Sequence, residues 1–231
     1  TDMDSIADFA KRFEERDVAL DTLINNAGVF PETRILTKHG FESIWGTNYL
    51  GHFVLTQKMQ PFLGRSPRKP RIVNVSSMIA WKASLPKQID FSVAGEFRNE
   101  DVYASTKLAN LLFTRGMHRR YPDILCVSAH PRGADTKILP SQFEWCRRFT
   151  QTAANGALPS LRAAQDANAK PNDIFAPRWA MRGPAVHGML PSAAKSDEAA
   201  DALWDQSMSM LVDIMLKQHH EQQRLQRKKT G

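Results

Sequence analysis

The sequence predicts an α/β fold with a doubly wound parallel sheet, a sheet that carries helices on both faces. Three apolar runs, within 17–25, 71–77 and 124–129, have the length of buried strands. Each run ends in polar residues or glycine, and segments with helical periodicity lie between the runs. Because strands and helices alternate along the chain, a parallel sheet is favoured over an antiparallel one.

Length and composition indicate one globular domain with a sizeable core, which we place at 1–216. The chain has 231 residues, of which 42% are hydrophobic and 24% charged. No apolar run approaches the roughly 18 residues that a membrane helix needs, so we expect no membrane segment. The two cysteines, Cys126 and Cys146, are far apart and are expected to be small buried residues rather than a disulfide. No metal site is predicted.

The net charge of +7 is concentrated at the C-terminus. Residues 217–231 contain five basic residues and one acidic residue. We interpret this segment as a basic, disordered tail. It lacks interleaved aromatic residues, so nucleic-acid binding is not expected.

The first predicted strand ends at a turn-like segment, and a long helix follows it. The strand at 17–25 runs into Asn25-Asn26-Ala27-Gly28. In open α/β sheets, ligands bind in the crevice outside such strand ends. Helical periodicity then covers 40–63 and encloses Asn48 in an apolar stretch. A buried asparagine needs partners, which makes Asn48 either a structural hydrogen-bonding residue or a site residue.

The second strand ends in Ser76-Ser77, and the next helix carries the pair Tyr103 and Lys107 at its head. Residues four apart lie on one helix face. A phenol must lose roughly 2 to 3 pKa units, about 3 to 4 kcal/mol, to act as an acid or base near neutral pH. An ammonium ~4 Å away at an effective dielectric of ~20 supplies about 4 kcal/mol. A lysine in this position could therefore make the tyrosine an acid or base near neutral pH, although the same spacing also arises by chance.

The third strand, at 124–129, leads into His130-Pro131 and on to Thr136. Beyond it the pattern predicts a helix at 157–164, a short strand at 174–177 and a last helix from 196 to about 219. Several aromatic and apolar residues precede or follow these elements, and they line either an apolar substrate pocket or the core: Phe143, Trp145, Phe149, Trp179 and Met181.

These five motifs occur in an order that resembles the short-chain dehydrogenase/reductase family, and most closely its retinol-dehydrogenase-like branch. The gap from Ser77 to Tyr103, Ile89-Asp90-Phe91 and the run at 158–164 fit that branch. The resemblance implies a Rossmann-like fold and an NAD or NADP cofactor. It also implies a small-molecule alcohol or carbonyl substrate, which the aromatic content suggests is apolar.

The family's functional residues are carried over position by position. Tyr103 corresponds to the acid/base, and Lys107 to the residue that lowers the tyrosine pKa and holds the nicotinamide ribose. Ser77, rather than Ser76, matches the serine that binds the substrate oxygen, and Asn48 the residue that holds a water linking the lysine to solvent. The remaining matches are cofactor-binding positions: Asn26, Ala27, Gly28, Pro131 and Thr136.

Two departures from the family pattern stand out. No two of the twelve glycines are two residues apart, so the G-x-G-x-x-G turn that binds the pyrophosphate does not occur. The first residue is not methionine, and we expect an N-terminal truncation of roughly 60 residues that includes the position selecting NAD or NADP. Arg132 stands where the family has glycine, and we expect it to weaken cofactor binding. The truncation would also expose the strand edge at 23–24, which favours homo-oligomers.

Two functions follow from this comparison. The first is an NAD(P)-dependent oxidoreductase that interconverts an alcohol and a carbonyl, with activity of the truncated chain alone doubtful. The alternative is a catalytically inactive relative that acts as a binding or regulatory protein. The compartment is unknown, with the cytoplasm as the default.

Overall fold

A computed structural model describes residues 2–131, 152–179 and 183–230, and the backbone alone for 217–230. Its sheet has five strands in the order β1-β2-β3-β4-β5. The first four pair in parallel and β5 pairs antiparallel with β4. The strands are β1 Thr22–Asn25, β2 Arg71–Val75, β3 Leu125–Ala129, β4 Ile174–Pro177 and β5 Ala185–His187.

The helices occupy the segments between the strands. The helix that contains Asn48 is continuous but changes register, because a π-helical turn, Gly46–Leu50, lies between α2 (Ser43–Trp45) and α3 (Gly51–Leu63). Such π turns often occur at functional sites. The α-helices are α1 Met3–Glu14, α2 Ser43–Trp45, α3 Gly51–Leu63, α4 Asn99–Arg120, α5 Ala153–Gln165 and α6 Asp197–Thr230.

Alternate residues of the strands pack into two different cores, which confirms the doubly wound arrangement. On one face, Ile72 and Cys126 join the large cluster that includes α4 residues. On the other face, Val73 and Val127 pack with Ala163 of α5. Because successive strand side chains point to opposite faces, α4 and α5 lie on opposite sides of the sheet. Cys126 is buried and free, as predicted.

A row of polar side chains crosses the sheet beneath α4. Asn25, Asn74 and Ser128 are register neighbours on three adjacent strands. Asn25 Nδ2 donates to Asn74 Oδ1 at 2.8 Å, and Asn74 Nδ2 donates to Thr114 Oγ1 of α4 at 3.0 Å. The Thr114 and Ser128 hydroxyls are 2.8 Å apart. This polar row, buried throughout, fixes α4 relative to the ends of the strands.

We expect Asn74→Leu to destabilise the fold by about 3 kcal/mol. The substitution keeps the branched shape of the side chain but removes the partner of Asn25 and of Thr114, and an unsatisfied buried polar group costs about 1–3 kcal/mol. Urea unfolding measures the change. Asn168→Leu, at an exposed position, is the control, and its free energy of unfolding should stay within about 0.5 kcal/mol of that of the unaltered protein. Equal stability of the two variants would contradict the assignment of a structural role to the polar row.

The structure departs from the predicted elements in two places. Strand β5, which no pattern indicated, is only three residues long and makes the sheet mixed rather than wholly parallel. Helix α6 continues to Thr230, so the segment from 217 onward, predicted to be a disordered tail, extends the helix. Its composition lacks glycine and proline up to that point, which is compatible with a helix.

Strand β1 has one strand partner in the described part of the chain. It pairs with β2, and Ile24 on it is 38% exposed. The apolar edge anticipated from the sequence is therefore present, while homo-oligomer formation stays a prediction. Among the described residues, none of the helices combines the length and the apolar character that crossing a bilayer requires.

Candidate active site

The ends of β1, β2 and β3 bring three of the predicted motifs to one edge of the sheet. Asn25 pairs with Asn74, and Val75 pairs with Ala129, so the three strands end at similar levels. The segments that follow them, at 26–30, 76–82 and 130–131, leave the sheet at this edge. It is the edge at which open parallel sheets bind ligands.

Helix α4 supplies the tyrosine and the lysine. Its first turn carries Glu100 and Asp101, which favour a helix N-terminus. Lys107 is 3% exposed, and its Nζ lies 5.4 Å from the centroid of the Tyr103 ring. The same Nζ donates to the carbonyl oxygen of Val75, the last residue of β2, at 3.3 Å. The structure thus holds the ammonium against the tyrosine ring at the end of a central strand.

Burial is the main cause of the pKa shifts of Tyr103 and Lys107. It raises the pKa of Tyr103 to about 12 and lowers the pKa of Lys107 to about 8. The prediction that Lys107 lowers the tyrosine pKa stays a prediction, because burial is the dominant cause of the raised pKa in this structure. The ammonium lies toward the ring and the Val75 carbonyl, whereas the argument from sequence assumed an ammonium beside the hydroxyl. At neutral pH Tyr103 is a phenol and Lys107 is mostly charged.

The two serines after β2 differ in environment. Ser76 is buried, and its hydroxyl donates to the carbonyl oxygen of Lys107 at 2.7 Å. Ser77 is half-buried and caps a short 3-10 helix, Met78–Lys82, by accepting from the Ile79 N–H at 3.4 Å. Ser76 thus attaches β2 to α4, and the Ser77 side chain is the more accessible of the two, which is compatible with the preference for Ser77 as the substrate-binding serine.

Asn48 holds the loop that follows β1. Its Oδ1 accepts from the Val29 N–H at 2.8 Å, and its Nδ2 donates to the Val29 carbonyl at 3.0 Å. The next residue, Phe30, packs on Tyr103 with ring centroids 4.8 Å apart. The Asn48 side chain is therefore engaged with backbone, and it connects the loop to the tyrosine through Phe30.

Only some of the remaining predicted residues lie in the described part of the chain. Asn26 and Ala27 are exposed and Gly28 is half-buried, all on the loop held by Asn48. Pro131 is half-buried directly after β3. Seven further positions that the sequence analysis named lie outside the described residues, and so they stay predictions: Arg132, Thr136, Phe143, Trp145, Cys146, Phe149 and Met181.

Sequence reasoning missed several residues around the site. Phe30, Ser76 and Asn110 contact Tyr103, Lys107 or the Val75 carbonyl, and His52 is buried one turn after Asn48. A histidine and an asparagine inside apolar helical stretches are the signal that could have identified His52 and Asn110. Phe30 had no such signal, because its contact with Tyr103 joins segments more than 70 residues apart in the chain.

One acidic cluster lies away from this site. Asp2, Asp4 and His39 place ligand-type atoms within 4.8 Å of one another. Lys38 binds the Asp4 carboxylate there, and the cluster is partly exposed. We assign no metal site to these residues.

Comparison with known proteins agrees with the fold and the motifs. A family model described as short chain dehydrogenase matches residues 1–147. Mouse retinol dehydrogenase 12 is 32% identical over 224 residues, covering 91% of this chain and 67% of that protein. Human retinol dehydrogenase 11 is 37% identical over 175 residues, covering 71% of this chain and 54% of that protein.

A solved structure resembles most of this chain. The crystal structure of an uncharacterised protein from Mycobacterium paratuberculosis superposes with a TM-score of 0.72 at 31% identity. The match covers 90% of this chain and 72% of that one. The sheet and its helices are thus found in a protein of similar sequence.

Proposed function

The chain belongs to the short-chain dehydrogenase family of NAD(P)-dependent oxidoreductases, and we propose that it interconverts an alcohol and a carbonyl group with Tyr103 as the acid/base. One observation carries the proposal. The buried Lys107 ammonium lies 5.4 Å from the centre of the Tyr103 ring, at the edge of the sheet where three strand ends converge. Charged and phenolic groups held this way suit proton transfer to a bound oxygen.

The residues present fit the ribose end of a nicotinamide dinucleotide. The Lys107 ammonium has three donors, and its one hydrogen bond in the described chain is the 3.3 Å contact with Val75. Two donors are thus left for hydroxyl groups beside Tyr103. When bound, the nicotinamide supplies or accepts the hydride. The sequence lacks the G-x-G-x-x-G turn, so we assign no residue of this chain to the pyrophosphate.

Tyr103 would donate its phenolic proton to the carbonyl oxygen during reduction and would accept the hydroxyl proton during oxidation. Its pKa of about 12 makes it a phenol at neutral pH, the protonation state that reduction requires. Lys107 would stabilise negative charge that develops on the tyrosine oxygen. Ser77 would donate a hydrogen bond to the substrate oxygen, and Asn48 would keep the Val29–Phe30 backbone in place against Tyr103.

We propose that the substrate is small and apolar. Directly after Ser77, Met78 is 43% and Trp81 is 54% exposed, so the segment that leaves the site presents apolar surface. The similar mouse protein is named a retinol dehydrogenase, and a human protein that is 38% identical over 120 residues is named a polyprenol dehydrogenase. Both names denote an apolar alcohol, which agrees with the surface beside Ser77.

The test is turnover by the native protein purified from its source. It should reduce or oxidise nicotinamide cofactor in the presence of long-chain apolar alcohols or aldehydes, and short polyols should be poor substrates at equal concentration. NAD and NADP are tested separately, because we assign no residue of this chain to selection between them. No turnover with any member of the panel, from protein that binds the dinucleotide, would contradict the proposal.

A second candidate function is a non-catalytic one. In this alternative the chain is a catalytically inactive relative that serves as a binding or regulatory protein. The intact mass of the native protein separates the two. A mass several kilodaltons above the 26.1 kDa of this chain supports the enzyme, and a mass equal to it, without dinucleotide binding, supports the alternative.

A further inference from the structure

Phe30 packs its ring directly against the ring of Tyr103. The two centroids lie 4.8 Å apart, and the ring planes make an angle of 54°. This separation is at the short end of the range of roughly 4.5–7 Å at which aromatic pairs attract each other. Phe30 is half-buried and lies on the loop that follows β1, outside any helix or strand. The contact therefore joins a loop residue at the edge of the site to the tyrosine of α4.

Hydrogen bonds hold this loop on both sides of Phe30. Before it, the Val29 N–H and carbonyl bind the Asn48 side chain at 2.8 and 3.0 Å. After it, the Pro31 carbonyl accepts from Nδ2 of Asn99, the first residue of α4, at 3.4 Å. A residue that precedes proline is also restricted to extended backbone conformations. The position of the Phe30 ring is thus set by the helix of Asn48 and by the start of α4.

The backbone of α4 alone does not fix the place of the Tyr103 hydroxyl. A tyrosine side chain chooses among staggered χ1 rotamers, and a change of rotamer moves the hydroxyl by several ångströms. Two neighbours occupy the space around the ring. One is Phe30, and the other is the Lys107 ammonium, 5.4 Å from the ring centroid. A rotation of the tyrosine toward the loop would meet the Phe30 ring.

We propose, on the basis of the function proposed above, that Phe30 is a positioning residue that keeps Tyr103 in the one rotamer that directs its hydroxyl to the substrate oxygen. Phe30 itself neither donates nor accepts a proton. Its effect passes through the tyrosine, because a misplacement of a reacting group by ~1 Å can lower a rate by about 10²-fold. The hydrogen bonds to Val29 and Pro31 keep the Phe30 ring in place for this role.

The test measures the χ1 rotamer of Tyr103 in three variants. Phe30→Ala removes the ring, whereas Phe30→Leu keeps a bulky apolar side chain. The matched control is Phe13→Ala, because Phe13 is also half-buried and also packs on another ring, that of Phe62, with centroids 5.1 Å apart.

The rotamer is read from three-bond NMR couplings of tyrosine-labelled protein. The chain has three tyrosines, so three sets of signals are expected, and the set of Tyr103 is identified by its loss in Tyr103→Phe. This readout requires neither cofactor nor turnover.

We expect the couplings of Tyr103 in the unaltered protein to fit a single staggered rotamer. In Phe30→Ala they should become averages over two or more rotamers, and Phe30→Leu should recover most of the single-rotamer values. Phe13→Ala should keep the values of the unaltered protein, although it also loses a ring contact. If Phe30→Ala does not fold, Phe30→Val makes the same comparison. Unchanged Tyr103 couplings in the variant that lacks the ring would overturn the proposal.

Turnover of the native holoenzyme provides a second readout. At saturating cofactor and substrate, Phe30→Ala should lower kcat about tenfold, Phe30→Leu should restore most of the loss, and Phe13→Ala should leave kcat unchanged. Averaged Tyr103 rotamers in a protein whose turnover does not need Tyr103 would reject the proposed function and retain the link between Phe30 and Tyr103. A single rotamer in Phe30→Ala, with Tyr103-dependent turnover, would do the reverse.

Discussion

Tyr103→Phe is expected to lower the rate of hydride transfer by about 10²- to 10⁴-fold, the typical contribution of general acid–base catalysis. The variant keeps the aromatic ring that packs on Phe30 and loses only the hydroxyl. Stability and dinucleotide binding should therefore change little. The measurement is kcat from the change in absorbance of the reduced cofactor, made at saturating concentrations of cofactor and substrate.

The matched control for this variant is Tyr121→Phe. Tyr121 follows the last residue of the same helix and packs near Trp204, away from Lys107. The Tyr121→Phe variant should have the same kcat as the unaltered protein. A Tyr103→Phe enzyme with unaltered kcat would show that another group transfers the proton, and the acid/base assignment would be rejected.

Lys107→Met is expected to have opposite effects on stability and on activity. Burial of the ammonium lowers the pKa of Lys107 from its usual 10.5 to about 8, so the charged form destabilises the folded protein by up to about 3 kcal/mol. A methionine of similar length removes that cost. We therefore expect a higher free energy of unfolding at pH 7, together with a loss of turnover of at least about tenfold because the charge beside Tyr103 is lost.

The lowered pKa of Lys107 also predicts how the stability difference between Lys107→Met and the unaltered protein changes with pH. Below pH 8 the lysine is protonated in both the folded and the unfolded state, so the full difference between the variant and the unaltered protein is present. Between pH 8 and 10.5 the unfolded chain binds a proton that the folded chain does not, so the stability of the unaltered protein rises with pH. The advantage of Lys107→Met should shrink over this window. Above pH 10 the raised pKa of Tyr103 acts in the opposite direction, so the comparison is best made from pH 7 to 9.5.

Urea unfolding at several pH values measures the difference. Lys58→Met, at an exposed position of α3, is the control and should stay within about 0.5 kcal/mol of the unaltered protein at every pH. A constant difference between Lys107→Met and the unaltered protein from pH 7 to 9.5 would show that the ammonium is not destabilised by its burial.

Much of the fold could be predicted because the signals are local. The strands at 22–25, 71–75, 125–129 and 174–177 are short apolar runs, and the helix predicted to carry Tyr103 and Lys107 is present as α4. The antiparallel strand β5 could not be predicted, because three residues are too few to show a period. The π turn around Asn48 could not be predicted either, because nearly all residues from 44 to 54 are buried and the apolar pattern there marks no single helix face.

The sequence by itself determined which residues stand at the ends of strands and on the head of α4, because these depend on neighbours close in the chain. Only the tertiary structure decided how those residues behave. The direction of the Tyr103 pKa shift follows from burial by distant segments, and the Asn48 contact with Val29 joins residues 19 positions apart. Burial and long-range contacts arise only when the chain has folded, so a local pattern carries no information about them.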